Sequence, residues 1–243
     1  MNMIIFLGFI GLNIVAFGLL EKKYTLGRAF FCDLLFGMTN PIIANFFVSK
    51  VLFYYFSLSG TWSFINLPSI LPLWVLWVLV IFFADLWAYT WHLIYHETFL
   101  WKLHFIHHSS RDLRWHSSLR FHPIETVITH STLFIILGCF GIPYKNYVFL
   151  NIFMFVFSAL SHAKVNWHFG ILGKMIVSPA YHALHHQEKT QHKNLGHMFV
   201  IWDQLLKKRI NPVHLPKEQN QTGNDTWIKL WIHPFRFKKF NRK

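Results

Sequence analysis

The stretch LPLWVLWVLVIFFADLWAYTWHLIYH, Leu71 to His96, decides the fold. From Ile70 to about Trp91 it is apolar throughout except for Asp85. A bilayer core takes about 20 mostly apolar residues as a helix, so this segment reads as a membrane span. It runs on into His92 and His96, which are spaced i, i+4 and share one helix face. A span that ends in two imidazoles on one side presents them at a membrane surface.

Four further segments read the same way. Met3 to Leu20 is uncharged and is followed by Glu21-Lys22-Lys23. It lacks a basic leader and a small-residue cleavage site, so it reads as a retained span rather than a signal peptide. Leu34 to about Leu58 is apolar except for Lys50, which can snorkel. Thr126 to Pro143 and Tyr147 to Ala163 read as a hairpin around Gly141-Ile142-Pro143. The expected spans are therefore about 3–20, 34–58, 70–91, 126–143 and 147–163. The basic residues follow a pattern. Lys22, Lys23 and Arg28 follow the first span, Lys102 to Arg120 follow the third, and 14 Lys and Arg lie from Lys164 onward. An odd number of spans with the N-terminus outside puts every basic block in the cytoplasm.

Composition agrees. Of 243 residues, 53% are hydrophobic and 14% charged, against about 25% charged in an average soluble domain. That excludes disorder, collagen, coiled coil and a small disulfide scaffold. A soluble all-α protein would need too many uncharged helices. Cys32 and Cys139 sit in apolar stretches, so neither a disulfide framework nor a Cys-type zinc site is expected. The net charge of +13 points to a membrane surface rather than nucleic acid in so apolar a chain. Residues 1–210 read as one membrane domain and 211–243 as a basic aromatic tail. That tail suits either the headgroup layer or a loose solvated segment.

The 17 His outnumber the 10 Asp and Glu, and none precedes His92. After His92 and His96 come His104, His107 and His108, an HxxHH, then His116 and His122. His162 and His168 lie at the end of the fifth expected span. His182, His185 and His186 form a second HxxHH. In an HxxHH helix the first and third imidazoles share a side, and the middle one is rotated by about 100°. Such a triplet can serve two metals side by side. The two triplets plus the HxxxH supply eight imidazoles, enough for a dinuclear site. Imidazole suits iron, zinc, copper and nickel. A nearly carboxylate-free shell with open positions favours iron and dioxygen, although zinc fits the spacing and could occupy the purified protein. Asp85, two turns before His92, reads either as an acceptor that orients a ligand histidine through a relay or as a buried carboxylate bonded to a neighbouring helix.

The runs Asp85-Leu-Trp-Ala-Tyr-Thr-Trp-His92-Leu-Ile-Tyr-His96, His104-Phe-Ile-His107-His108 and Leu119-Arg-Phe-His122-Pro-Ile-Glu125 resemble the fatty acid hydroxylase / sterol desaturase superfamily. So do Ser178-Pro-Ala-Tyr-His182-Ala-Leu-His185-His186, Asn194-Leu-Gly196 and Ile201-Trp202-Asp203-Gln-Leu-Leu206. The resemblance covers roughly Leu71 to Leu206. It implies an all-α integral membrane fold: a four-helix transmembrane core, an extra N-terminal span, and a cytosolic helical cap carrying the histidine boxes. It implies a non-haem di-iron centre that uses O2 to hydroxylate or desaturate an unactivated C–H of a lipid, sterol or fatty acyl. By match, His92, His96, His104, His107, His108, His182, His185 and His186 are ligands. His162 fits an extra ligand between the boxes, and His122 fits a supporting role. The pattern departs at Leu93, Lys164, Leu195 and Lys207-Lys208. Whether Lys164, Asn166 or His168 enters the metal shell stays open.

Two electrons must come from outside. No His-Pro-Gly-Gly signature and no Gly-rich nucleotide loop is present, so a separate donor of ferredoxin, cytochrome b5 or flavin reductase type is implied. The compact chain suggests a bacterial inner membrane. Two other classes compete: a transition-metal transporter, whose histidines would line a path, and a bis-His haem protein, whose histidines would face each other on separate spans.

Overall fold

The computed structural model describes residues 11–12, 15–21, 27–52, 54, 63–110, 112–212 and 226–235. Among these, all regular elements are helical, and the one β-bridge, Ile176 with Phe199, is isolated. Helix α1 is Arg28–Asn45 and continues as a π-helical stretch, Phe46–Leu52. A short α2, Leu67–Ile70, leads into α3, Leu73–Glu97. Then come α4, Trp101–His108, a 3₁₀ turn, Trp115–Leu119, α5, Pro123–Cys139, and α6, Tyr144–His162. The rest is a 3₁₀ turn, Gly170–Lys174, followed by α7, Pro179–His185, α8, Ile201–Leu205, and α9, Trp227–Ile232.

Two described stretches are long and apolar enough to cross a membrane, Arg28–Lys50 and Leu73–Glu97. At 25 residues, α3 is about 38 Å long. That is long enough to cross a layer of about 30 Å with His92 and His96 left beyond it. The expected spans 126–143 and 147–163 coincide with helices α5 and α6, each starting three residues early; neither is one of the two described stretches long and apolar enough to cross a membrane. Prolines set those starts. Pro123 occupies the first turn of α5 and Pro143 caps α6, positions where a missing N–H costs nothing. Gly141, at φ +73°, turns the chain between them, and a Cβ there would meet the Asn66 backbone at 3.1 Å. Of the expected span 3–20, residues 15–20 are helical and most of the remainder lies outside the described residues, as do 53 and 55–58 of the second.

The helices share an apolar core. Leu76, Val80 and Ala84 of α3 pack with Leu133, Phe134 and Leu137 of α5, Leu150 of α6 and Val48 after α1. Their outer faces are apolar too. Leu73, Trp74, Val78, Leu79 and Phe82 of α3 are exposed, as are Phe31, Leu35 and Ile42 of α1 and Phe149 of α6. Exposed apolar surface on this scale marks an interaction surface rather than a water-facing one.

Asp85 is buried and bonded to the returning chain, Trp202 of α8 included. Its carboxylate accepts from the Met198 N–H (2.7 Å), the Phe199 N–H (3.2 Å) and the Trp202 indole N–H (2.7 Å). No box histidine reaches it; the side chain of His197 comes to 4.0 Å. The seven-residue advance to His92 is about 10 Å along the helix, too far for a direct hydrogen bond. Asp85 therefore clamps the 198–202 segment to α3. The tail also docks. Leu230 of α9 is buried against Cys32, Phe36 and Ile106, and the ring of His233 stacks on Phe105 at 4.7 Å. Residues 213–225 and 236–243 lie outside the described residues.

Replacing Asp85 by Ala strands three buried donors, each worth about 1–3 kcal/mol when unsatisfied. The detergent-solubilised variant should lose at least about 3 kcal/mol of stability, and Asp85→Asn, which keeps an acceptor, should lose less. Thermal unfolding at wild-type values in both would refute the clamp.

Candidate metal centre

Four local structures bring the histidines together. His92 and His96 stand on the last turns of α3, and α4 carries His104, His107 and His108. His162 ends α6. Helix α7 is started by Ser178, whose hydroxyl accepts the Tyr181 N–H at 3.2 Å, with Pro179 next to it. That cap places His182 and His185 in its single full turn, with His186 at its C-terminal end.

The nine imidazoles form two nests. His92, His96, His104, His108 and His185 make one, and His107, His162, His182 and His186 the other; within each nest the facing nitrogens lie within 4.8 Å of one another. The triplets are divided reciprocally. The i, i+4 pair of α4 enters the first nest and its middle histidine the second; α7 does the reverse. Helix rotation alone explains this split. The nests adjoin, with the His108 and His186 rings stacked at 4.4 Å.

What points the rings is a set of Nδ1–H donations. His92 donates to the Leu195 carbonyl (2.7 Å), His107 to Arg120 (3.3 Å), His162 to Ser158 (2.7 Å) and His185 to Lys193 (3.0 Å). His104 differs: its Nδ1 pairs with the Glu125 carboxylate at 2.6 Å. A neutral imidazole that donates from Nδ1 turns a lone pair outward from Nε2. Aromatic stacking holds the planes, with Tyr95 over His104 at 5.7 Å and Phe121 over His107 at 4.3 Å.

These nitrogens fit a cation. The Nε2 atoms of His92, His96, His104 and His185 are buried without a hydrogen-bond partner, and each such orphan costs about 1–3 kcal/mol. In the second nest, Nε2 of His107 faces Nε2 of His162 at 3.1 Å, which faces His182 at 3.1 Å, which faces His186 at 3.2 Å. His107 and His162 have already given their Nδ1 protons to carbonyls, so two lone pairs point at each other. Such pairs repel unless a cation lies between them. Imidazoles around a tetrahedral ion at about 2.0–2.1 Å have neighbouring nitrogens about 3.3 Å apart, close to the spacing found. Burial first, and neighbouring imidazoles second, hold His107, His108, His182, His185 and His186 well below the ordinary value of 6.5. They are therefore neutral, ligand-ready bases at pH 7.

The supporting residues are partly unexpected. His122 caps α5: its Nδ1 accepts the Ile124 N–H at 3.1 Å and its Nε2–H donates to Trp231 at 3.1 Å. It touches neither nest. Lys164 points to Asp112, and neither Asn166 nor His168 joins a nest among the described residues. The sequence reading did not single out Asp203. Its carboxylate accepts from the Leu195 and Gly196 N–H groups and the Tyr181 hydroxyl, fixing the loop whose Leu195 carbonyl aims His92. Glu125 was also missed as a partner of His104. Its signal was present, as an acidic residue in the first turn of α5 beside the His-Pro pair.

The family model for fatty acid hydroxylase matches residues 77–208. The chain belongs to that family. It is 30% identical over 158 residues to alkylglycerol monooxygenase of Caenorhabditis elegans, covering 64% of this chain and 30% of that protein. It is 31% identical over 138 residues to ornithine lipid hydroxylase OlsE of Rhizobium tropici, covering 56% and 42%. Human alkylglycerol monooxygenase is 26% identical over 222 residues, covering 84% and 49%. The matches thus span less than half the length of each of these relatives. No solved structure matches.

Alanine at His96 and at His182 should each remove about one metal equivalent, because the two stand in different nests. Elemental analysis that finds both metals lost from either variant, or none from both, would refute independent nests. Glu125→Ala should weaken metal retention by about 10–100-fold against a chelator, with Glu125→Gln in between; unchanged retention would remove Glu125 from the site. Acid should act in a defined direction. The unfolded chain takes up protons below pH 6.5 that the buried imidazoles refuse, so stability and metal content both fall as pH drops below that value. A pH titration of metal content that stays flat from 7.5 to 4.5 would contradict this.

Proposed function

We propose that the chain is a multi-pass membrane enzyme that uses O2 to hydroxylate an unactivated C–H of a lipid. The observation that carries this is the convergence of nine imidazoles, eight of them buried and His92 half-buried, in two adjoining nests. His92, His96, His104, His108 and His185 would hold one iron, and His107, His162, His182 and His186 the other. When bound, the iron pair supplies dioxygen activation; one oxygen atom enters the C–H bond and the other leaves as water, with two electrons and two protons consumed.

The chain's own residues do the rest. The carbonyls of Leu195, Arg120, Ser158 and Lys193 fix the tautomer and ring direction of His92, His107, His162 and His185, and the Glu125 side chain holds His104 by its Nδ1. Near-total burial of the nests excludes bulk water from the reacting centre. The relatives' names specify alkylglycerol and ornithine lipid as substrates. Both are chain lipids with polar heads, and this reading takes such a lipid in preference to a sterol. Electrons come from a separate ferredoxin, cytochrome b5 or flavin reductase type protein. In this reading the membrane is a bacterial inner membrane, and the basic loops support a cytoplasmic side for the nests and the C-terminus.

Lipid mass spectrometry of cells with and without the protein tests this. Wild type should add a species 16 mass units heavier than a parent lipid, and His96→Ala should not. A loss of 2 units alone would make the enzyme a desaturase. Unchanged lipids from metal-loaded protein supplied with reductant and O2 would refute the proposal.

A further inference from the structure

The exposed apolar surface does not end with the long helices. On α3 the exposed large apolar side chains run from Leu73 to Phe82 and none follows. At Phe82 another segment takes over. Its ring packs against Trp202 at 4.9 Å and Phe199 at 5.9 Å, and Asp85, one turn on, clamps the Met198 and Phe199 backbone. This segment is joined to the 3₁₀ turn Gly170–Lys174. The Val200 N–H donates to the Met175 carbonyl at 2.9 Å, and the Gln204 side chain donates to the Lys174 carbonyl at 2.8 Å.

The joined unit is amphipathic. Ile171 (78%), Leu172 (56%), Met175 (66%) and Leu205 (65%) are exposed, although the same unit buries Val177, Val200 and Trp202. Lys174 and Lys207 lie exposed beside them. From Lys164 to Arg209 there are seven Lys and Arg against two acidic residues, Glu188 and Asp203, and Asp203 is buried. Apolar side chains flanked by lysines, continuous with a lipid-facing helix surface, have the chemistry of a segment lying in the interface of a bilayer.

We propose that Ile171, Leu172, Met175 and Leu205 form a collar immersed in the headgroup and upper acyl layer of the membrane, with Lys174 and Lys207 meeting lipid phosphates. The collar rests on the membrane reading given above and adds to it. Through Asp85, Asp203 and Leu195 it is joined to the loop that aims His92, so it fixes how deep the nests sit relative to the lipid.

The test uses the full chain in vesicles of phosphatidylcholine and phosphatidylglycerol. Single cysteines at Leu172, Leu205 and, as reference, Leu79 of α3 carry an environment-sensitive fluorophore, with Cys32 and Cys139 replaced by Ala. All three side chains are exposed, so labelling leaves the core intact. The collar predicts blue-shifted emission at Leu172 and Leu205 that is quenched by spin-labelled lipid and not by iodide, as at Leu79. Iodide quenching at Leu172 and Leu205 with lipid quenching at Leu79 overturns the collar and leaves the membrane reading standing. Iodide quenching at all three overturns both. Protection from both quenchers at Leu172 and Leu205 means that a protein covers the face, a second copy or the electron donor, and overturns the collar as well.

Discussion

Lone-pair repulsion between imidazole nitrogens is the constraint on which the rest of this molecule depends. The Nδ1–H groups that His107 and His162 hand to carbonyls leave their Nε2 lone pairs facing each other at 3.1 Å, and those of His92, His104 and His185 leave Nε2 buried without a partner. Several such pairs in a buried space raise the energy of the chain unless positive charge is supplied between them. Protons could supply it only at the cost of burying cations, and burial pushes these imidazoles toward the neutral form. A metal ion meets both demands, because it needs neutral nitrogen and brings its own charge.

Much of the structure serves that geometry. Asp85 and Asp203 face the same loop from two sides and between them accept four backbone N–H groups, an indole and two hydroxyls. Neither touches a box histidine. They hold the backbone whose Leu195 carbonyl aims His92. Asp33 plays a comparable part for the second nest. It is fully buried, takes His116 at 2.6 Å and binds the Arg120 side chain, and the Arg120 carbonyl receives His107. The few carboxylates of this chain are thus spent mainly on backbone and on orientation. Among the described residues only Glu125 pairs directly with a box histidine, so a carboxyl group stands behind one ring of the first nest.

The apolar surface has the same logic on a larger scale. Helix α3 is longer than a bilayer core is thick; its first turns expose apolar side chains and its last turns offer imidazoles to the nests. The segment around Phe199 meets it at the changeover.

The sequence by itself determined the periodic features. Uninterrupted apolar runs dictated the helices, prolines at 123, 143 and 179 dictated where three of them begin, and the HxxxH and HxxHH spacings dictated which imidazoles share a face. These are properties of one helix, and a helix repeats identically wherever it sits. Which nest each face joins, and which group behind each ring takes its proton, depended on how separate helices dock. Backbone carbonyls at Leu195, Arg120, Ser158 and Lys193 carry no letter in a sequence. Asp85 looked like a partner for His92 because both lie on one face of α3. Only the return of the chain at Met198 showed that its oxygens were already taken, since a hydrogen bond reaches about 3 Å and two helical turns span three times that distance.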